Sequence, residues 1–270
     1  MQKKKNYNLI IGGIIAAIVV IIIVASFFYT PYDPNAIDGL NKMSSPSPEH
    51  FLGTDNLGRD ILSRILDGAG STLLIALCVV AIGTMGGIVV GASTGYLGGW
   101  IDNVVMRLND VLSAFPSFLL ALVVISIAGP GKYKVIIALG ILFIPSFARM
   151  IRGEFARCRD MDYVRSARLM GASNFRIIAV HILPNTFPVL LSTMAIGFNN
   201  AVLAEASMSY LGLGVQPPDV SLGRMLAESQ TYLLNAPWYA LSIGITIVLL
   251  VLGFGLLGDG VNRRRPEYGG

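Results

Sequence analysis

Side chains able to do chemistry are few in this chain and far apart. Its histidines are His50 and His181, its cysteines Cys78 and Cys158, and the Gly171-Ala172-Ser173 stretch offers a candidate nucleophilic hydroxyl. An intramembrane serine protease would need Ser and His within hydrogen-bond reach inside a bundle. Ser173 falls in a polar stretch that suits a helix cap, and His181 would lie about 12 Å further along a helix at 1.5 Å per residue. Cys78 lies in an apolar run and Cys158 in a basic loop, which favours neither a disulfide nor a metal cluster. No Gly-rich loop ending in Lys and Ser/Thr occurs, so ATP is not bound by that route. The expectation is a non-catalytic chain that binds no cofactor and no metal of its own.

The chemistry that is concentrated is cationic. It lies in DYVRSARLMGASNFRIIAVHILPN, residues 162–185, which reads as two short helices. In the first, Arg165 and Arg168 are three apart and share a face. Asp162 is placed to cap that helix, and Gly171 to end it in the left-handed conformation. Ser173 is placed to cap the second, and Pro184 to stop it where the chain turns back. Phe175, Ile178, Ala179 and Ile182 fall at i, i+3, i+4 and i+7, one apolar face. The pattern predicts a rigid amphipathic knob whose apolar side fits a groove on a soluble partner, with Arg168 pairing to acidic groups there.

The elements that must carry this knob are built for lipid. The chain is 54% hydrophobic with a mean hydropathy of +0.66, and only 13% of it is charged, against ~25% in ordinary soluble domains. Residues 9–28 carry no charge and are long enough for a ~30 Å hydrocarbon core. A cleaved signal peptide would have an apolar region of only ~7–15 residues and a small-residue cleavage site, so this reads as a retained span. Further spans are expected at about 71–97, 106–128, 133–151, 184–205 and 237–258. Pro116 should bend the third and Pro145 lies inside the fourth, which favours a bundle whose neighbours satisfy the freed carbonyls.

Orientation follows from charge. With Lys3, Lys4 and Lys5 inside, six spans place both termini and the loop from about 152 to 183 in the cytoplasm. Basic residues then divide 14 inside against 6 outside, as the positive-inside rule requires. The net charge of +4 is thereby explained without nucleic acid. An ion-coupled secondary transporter is the rival, but such proteins carry ionisable residues near the bilayer midplane. Here Asp110 and Asp259 flank spans, and Glu205 sits near the outer end of the fifth, either lining a permeation path or packing at the membrane edge. Gly83, Gly87, Gly91 and Gly95 recur every fourth residue in the second span, a face that lets another helix backbone approach closely.

The 162–185 stretch resembles the cytoplasmic loop of ABC-importer permeases, whose usual form is Glu-Ala-Ala, three residues, Gly, and a Pro thirteen residues later. Arg165-Ser166-Ala167 stands in the Glu-Ala-Ala place, Gly171 follows, and Pro184 is thirteen beyond. The Arg in place of Glu departs from the pattern, while the Ala-Gly-Pro frame is kept. HFLGTDNLGRDILSRIL (50–66), AFPSFLLAL (114–122), HILPN (181–185) and SYLGLGVQPP (209–218) are similar to the C-type permease of dipeptide, oligopeptide and nickel importers. GTDNLGRD, Gly53 to Asp60, reads as a structural turn into the second span, with docking of the solute-binding protein as the weaker alternative.

The resemblance implies an all-α, polytopic helical bundle of the type I ABC-importer permease fold with about six transmembrane helices in a bacterial cell membrane. It divides the chain into a cytoplasmic end and first helix (1–28), an extracytoplasmic loop (29–70), the permease domain (71–260) and a cytoplasmic tail (261–270). It also implies a second permease subunit, two cytoplasmic ATPase subunits that hold ATP and Mg, and an extracytoplasmic solute-binding protein. The ATPase-coupling residues would be Arg165, Ala167, Arg168, Gly171, Ala172, Ser173, Phe175, Ile178, His181 and Pro184.

Overall fold

A computed structural model describes residues 6–262, and Lys3 to Lys5 and Arg263 to Arg265 of the charge count lie outside the described residues. Helix α1 is Tyr7–Ser26, with the Asn6 side chain accepting from the Leu9 amide at 3.3 Å. Ile14, Ile18 and Ile21 are more than half exposed on it, while Gly12 and Ala16 are buried. That one-sided burial suits a helix whose outer surface meets lipid. Helix α2, Ile61–Leu97, starts ten residues before the expected second span, because the Asp60 carboxylate caps it from the Ser63 amide at 2.8 Å and Ile61 and Ile65 are core. Its 37 residues reach roughly 55 Å at 1.5 Å each.

The expected third span is broken. Helices α3 (Gly99–Ser113) and α4 (Ser117–Ala128) meet at 80°. Pro116 disfavours helix for the residue before it, and its own ψ of 120° leaves the helical region. Among the described residues, five helices are therefore long and apolar enough to cross a membrane, or six if this bent pair counts as one span. Helix α5 (Lys132–Arg159) extends eight residues past the expected fourth span, so Cys158 is buried in a helical turn and not in a loop. Asp102 of α3 is gripped by Arg152 of α5 through two bonds of 2.6 Å.

Beyond α6 (Asp162–Leu169) and α7 (Asn174–Arg176), a π-helical segment, Ile177–Ile182, leads into α8 (Leu183–Tyr210). Helix α9 (Leu222–Ser229), a 3₁₀ turn (Gln230–Tyr232) and α10 (Pro237–Asn262) complete the described residues. Among the described residues the only β pairing is an isolated bridge, Thr54 to Asp60.

The glycine series of α2 faces α5. A Cβ on Gly83 would lie 2.9 Å from Phe143 Cβ, on Gly91 2.5 Å from the Ala148 carbonyl oxygen, and on Gly95 2.5 Å from that of Arg152; on Gly87 it would strike Phe147 Cβ. The close approach the spacing predicts thus occurs inside the chain, and it says nothing about a second subunit. Helix α1 sits on α10 by the same means, with Gly12 against Leu256 and Leu257, and Gly253 against Ala16.

Candidate functional site

The basic segment forms a hard turn. Helix α6 closes with the Ala172 amide bonded to the Ala167 carbonyl (3.1 Å) and the Gly171 amide to that of Arg168 (3.0 Å), the paired bonds of a Schellman motif. That motif needs a left-handed residue, and Gly171 has φ +81° with open space where a Cβ would be. Two residues on, Ser173 Oγ accepts from the Arg176 amide at 3.3 Å and starts the next helix. The cap expected of Asp162 is absent: Met161 holds the cap position, and Asp162 lies in the first turn, where its charge still opposes the helix dipole.

Val164 and Ala167 are the buried face of α6, which packs against the Ile177–Ile182 segment and α5. Tyr96, at the end of α2, ties both halves of the segment. Its hydroxyl donates to Asn174 Oδ1 at 2.9 Å and accepts from Arg168 at 3.3 Å, and the Arg168 guanidinium lies 5.7 Å from the ring centroid. Arg168, expected to reach for a partner protein, thus holds the segment to its own bundle. Arg165 faces outward, 3.8 Å from Asp162. Nothing in the sequence marks Tyr96, since its role exists only once α2 and α6 are adjacent.

The second expected helix differs more. Pro184 does not turn the chain; it sits in the first turn of α8, and Asn174–Tyr210 runs as one helix of 37 residues. Proline lacks an amide and crowds the carbonyl four residues back. The π segment upstream accommodates it, with the Leu183 amide bonded to the Ile178 carbonyl. An extra residue in a turn rotates one part of a helix against the other by about 100°. Buried positions are therefore Ile177 and Ile182, five apart, whereas Ile178 and Ala179 are half-buried and Phe175 is 79% exposed. The predicted apolar face is divided. Phe175 instead joins Leu169 and Met170, 89% and 81% exposed, on the outside of the turn. Ala172 and His181 are half-buried.

A cavity of about 420 Å³ opens between α4, α5 and α8. Ser117, Ser146, Thr193 and Asn200 give it polar groups between walls such as Phe118 and Phe143, and no charged residue lines it. Glu205 is not in that lining: it is buried, and its carboxyl accepts from Thr72 Oγ1 at 3.0 Å and Ser209 Oγ at 2.6 Å.

At the other end of α2 the Gly53–Asp60 turn is charged and enclosed. Asp55, fully buried, accepts from the amides of Leu57 (2.8 Å) and Arg59 (3.0 Å), from Arg59 Nε (2.7 Å) and from Arg64. Arg64 is 2% exposed and also reaches Glu228 at 3.1 Å, which in turn accepts from Arg224 at 3.2 Å. The turn is thereby locked to α2, α9 and, through Tyr239, α10.

Residues 87–265 match the family described as binding-protein-dependent transport system inner membrane component. The chain is 39% identical to the dipeptide transport system permease protein DppC of Alkalihalophilus pseudofirmus, over 82% of this chain and 73% of that one. It is 41% identical to the glutathione transport system permease protein GsiD of Pectobacterium atrosepticum (87% and 78%), and 37% to the probable D,D-dipeptide transport system permease protein DdpC of Escherichia coli (88% and 80%). In fold it is similar to a chain of the inward-facing MetNI methionine ABC transporter, with a TM-score of 0.63, 20% identity, and coverage of 75% of this chain and 96% of that one. A multi-pass helical bundle, a knob capped at Gly171 and Ser173, and these likenesses agree that the chain belongs to the binding-protein-dependent inner-membrane transport components, as a permease of the ABC-importer fold.

Proposed function

We propose that this permease forms half of the translocation pore of an ATP-driven importer of dipeptides or short oligopeptides. A second permease subunit supplies the other half. A solute-binding protein delivers cargo outside, and two ATPase subunits hold ATP and Mg in the cytoplasm. The relatives' transport of dipeptides, D,D-dipeptides and glutathione, as their names state it, favours peptide cargo over a nickel chelate. The uncharged, hydroxyl- and amide-bearing cavity suits it too, because peptide bonds can be met there without selecting for side-chain charge. Both termini and the 160–183 segment face the cytoplasm, a reading supported by the excess of basic residues there.

The observation that carries the coupling role is the exposure of Leu169, Met170 and Phe175 on a turn that is otherwise capped and pinned. Large apolar side chains held out on a rigid polar turn are arranged for a desolvated pocket, where truncating an aromatic anchor costs ~2 kcal/mol or more. Phe175→Ala should leave the level and membrane insertion of this chain unchanged, yet release the ATPase during purification and abolish uptake. Full retention of ATPase with normal uptake would remove the coupling role.

A further inference from the structure

Glu205 is a fully buried carboxyl that neither the cavity nor the coupling segment uses. It accepts from the hydroxyls of Thr72 and Ser209, with Ser221 of the following loop as a further hydroxyl partner, and each hydroxyl has one hydrogen and spare lone pairs. Thr72 Oγ1 gives its hydrogen to Glu205 and accepts the Leu222 amide at 3.2 Å. Ser209 Oγ gives its hydrogen to Glu205 and accepts the Val215 amide at 3.1 Å. Val215 lies within the loop after α8, and Leu222 is where that loop ends and α9 begins. One carboxyl therefore orients the Thr72 and Ser209 hydroxyls, of which Ser209 holds the loop at Val215 and Thr72 holds its exit into α9.

The loop is also packed closely on α8 at both glycines that flank its second half. A Cβ on Gly214 would strike Ser209, and one on Gly223 would strike the Ala206 carbonyl. Beside Val215, the Gly214 carbonyl accepts the Gly131 amide at 3.0 Å, just before the start of α5. Position 205 also lies near the far end of the unbroken helix that begins at Asn174 in the coupling segment. The loop is thus tied at once to α2, α8 and the head of α5, the last two being walls of the cavity.

We propose that Glu205 is a positioning residue that clamps the 211–222 loop to the outer ends of α2, α5 and α8, so that displacement of the coupling segment is carried by the α7–α8 helix into that loop. The transmission half rests on the coupling role proposed above; the clamp itself does not. Glutamine at 205 would present an NH₂ to one of the two hydroxyls, so that hydroxyl would have to accept and its own hydrogen would lose its partner. Valine at 72 removes only the Leu222 hold, and alanine at 209 only the Val215 hold.

Hydrogen exchange of the assembled transporter, read by mass spectrometry with and without ATP plus vanadate, tests both halves. A net hydrogen bond of ~1 kcal/mol predicts exchange about fivefold faster at Leu222 in Thr72→Val, at Val215 in Ser209→Ala, and at one or both in Glu205→Gln. Thr72→Ser, which keeps the hydroxyl, should match the wild type. The 211–222 response to nucleotide should disappear in Glu205→Gln and Thr72→Val, while the 160–183 response and the bound ATPase persist. Unchanged exchange in both Thr72→Val and Ser209→Ala would overturn the clamp, even if Glu205→Gln were poorly folded. A nucleotide response that survives a loosened loop would overturn transmission. A wild-type 160–183 segment indifferent to nucleotide would sink the coupling reading and transmission together, and the exchange rates would still judge the clamp.

Discussion

Removing one member of the buried Asp55–Arg64 pair should not be symmetric, and the structure gives the order. Both side chains are out of solvent, at 0% and 2% exposure. Asp55→Ala deletes the acceptor for two backbone amides and two guanidinium groups, and leaves Arg64 with Glu228 as its one anionic partner. Breaking a buried pair in that way costs about 3–5 kcal/mol. Arg64→Met keeps Asp55 bonded to Arg59 Nε and both amides and refills much of the volume. The Glu228 and Tyr239 contacts of Arg64 are lost too, but Glu228 keeps Arg59 and Arg224. The expected cost is therefore about 1.5–3 kcal/mol, the range of a hydrogen bond to a charged group. The double variant should be less destabilised than the sum, by about 0.5–3 kcal/mol, as for residues in contact. Reversible SDS unfolding in mixed micelles, followed by the fluorescence of Trp100 and Trp238, reads all three. Because the pair is enclosed, the ranking should also survive high salt, which screens exposed pairs far more. Arg64→Met costing as much as Asp55→Ala, or additivity within error, would refute the account of the turn as a carboxylate-centred lock.

Gly91→Ala should destabilise by about 1–3 kcal/mol through overpacking, since its Cβ meets the Ala148 carbonyl at 2.5 Å. Gly153→Ala, with nothing within 4 Å, should be neutral or stabilising by up to about 1 kcal/mol; the same unfolding assay compares them, and equal effects would discount close packing. Gly171→Val should strain the left-handed turn by about 1–2 kcal/mol and weaken ATPase retention, whereas Gly171→Asn, tolerated in that conformation, should keep it; co-purification decides. Cysteines at positions 160 and 40, in a background with Cys78 and Cys158 replaced, should be respectively hidden from and open to an impermeant maleimide in intact cells. Labelling at 160 would reverse the orientation.

Helix existence, the lipid setting and the small-residue face of α2 were legible because they depend on local composition and on period. Gly171 and Ser173 were legible for a related reason: a left-handed cap and a side-chain cap are decided within a few residues of chain. Boundaries were less so. Asp60 and buried isoleucines draw α2 ten residues towards its N-terminus, and Pro116 breaks a span where a bend was expected. Pro184 misled because the rule that proline stops a helix is local, while the π segment that accommodates it lets Asn174–Tyr210 continue as one rod.

What the sequence by itself determined is therefore a polytopic all-α chain with a capped basic turn, since hydropathy, charge placement and cap chemistry act over short distances. What only the tertiary structure decided is where the polar side chains are spent. Tyr96 on Arg168, Glu205 between Thr72 and Ser209, and Asp55 on Arg64 join residues 72, 133, 4 and 9 positions apart. Two of these four pairings cross from one helix to another, and a buried polar group takes its partner from whichever segment packing brings to it.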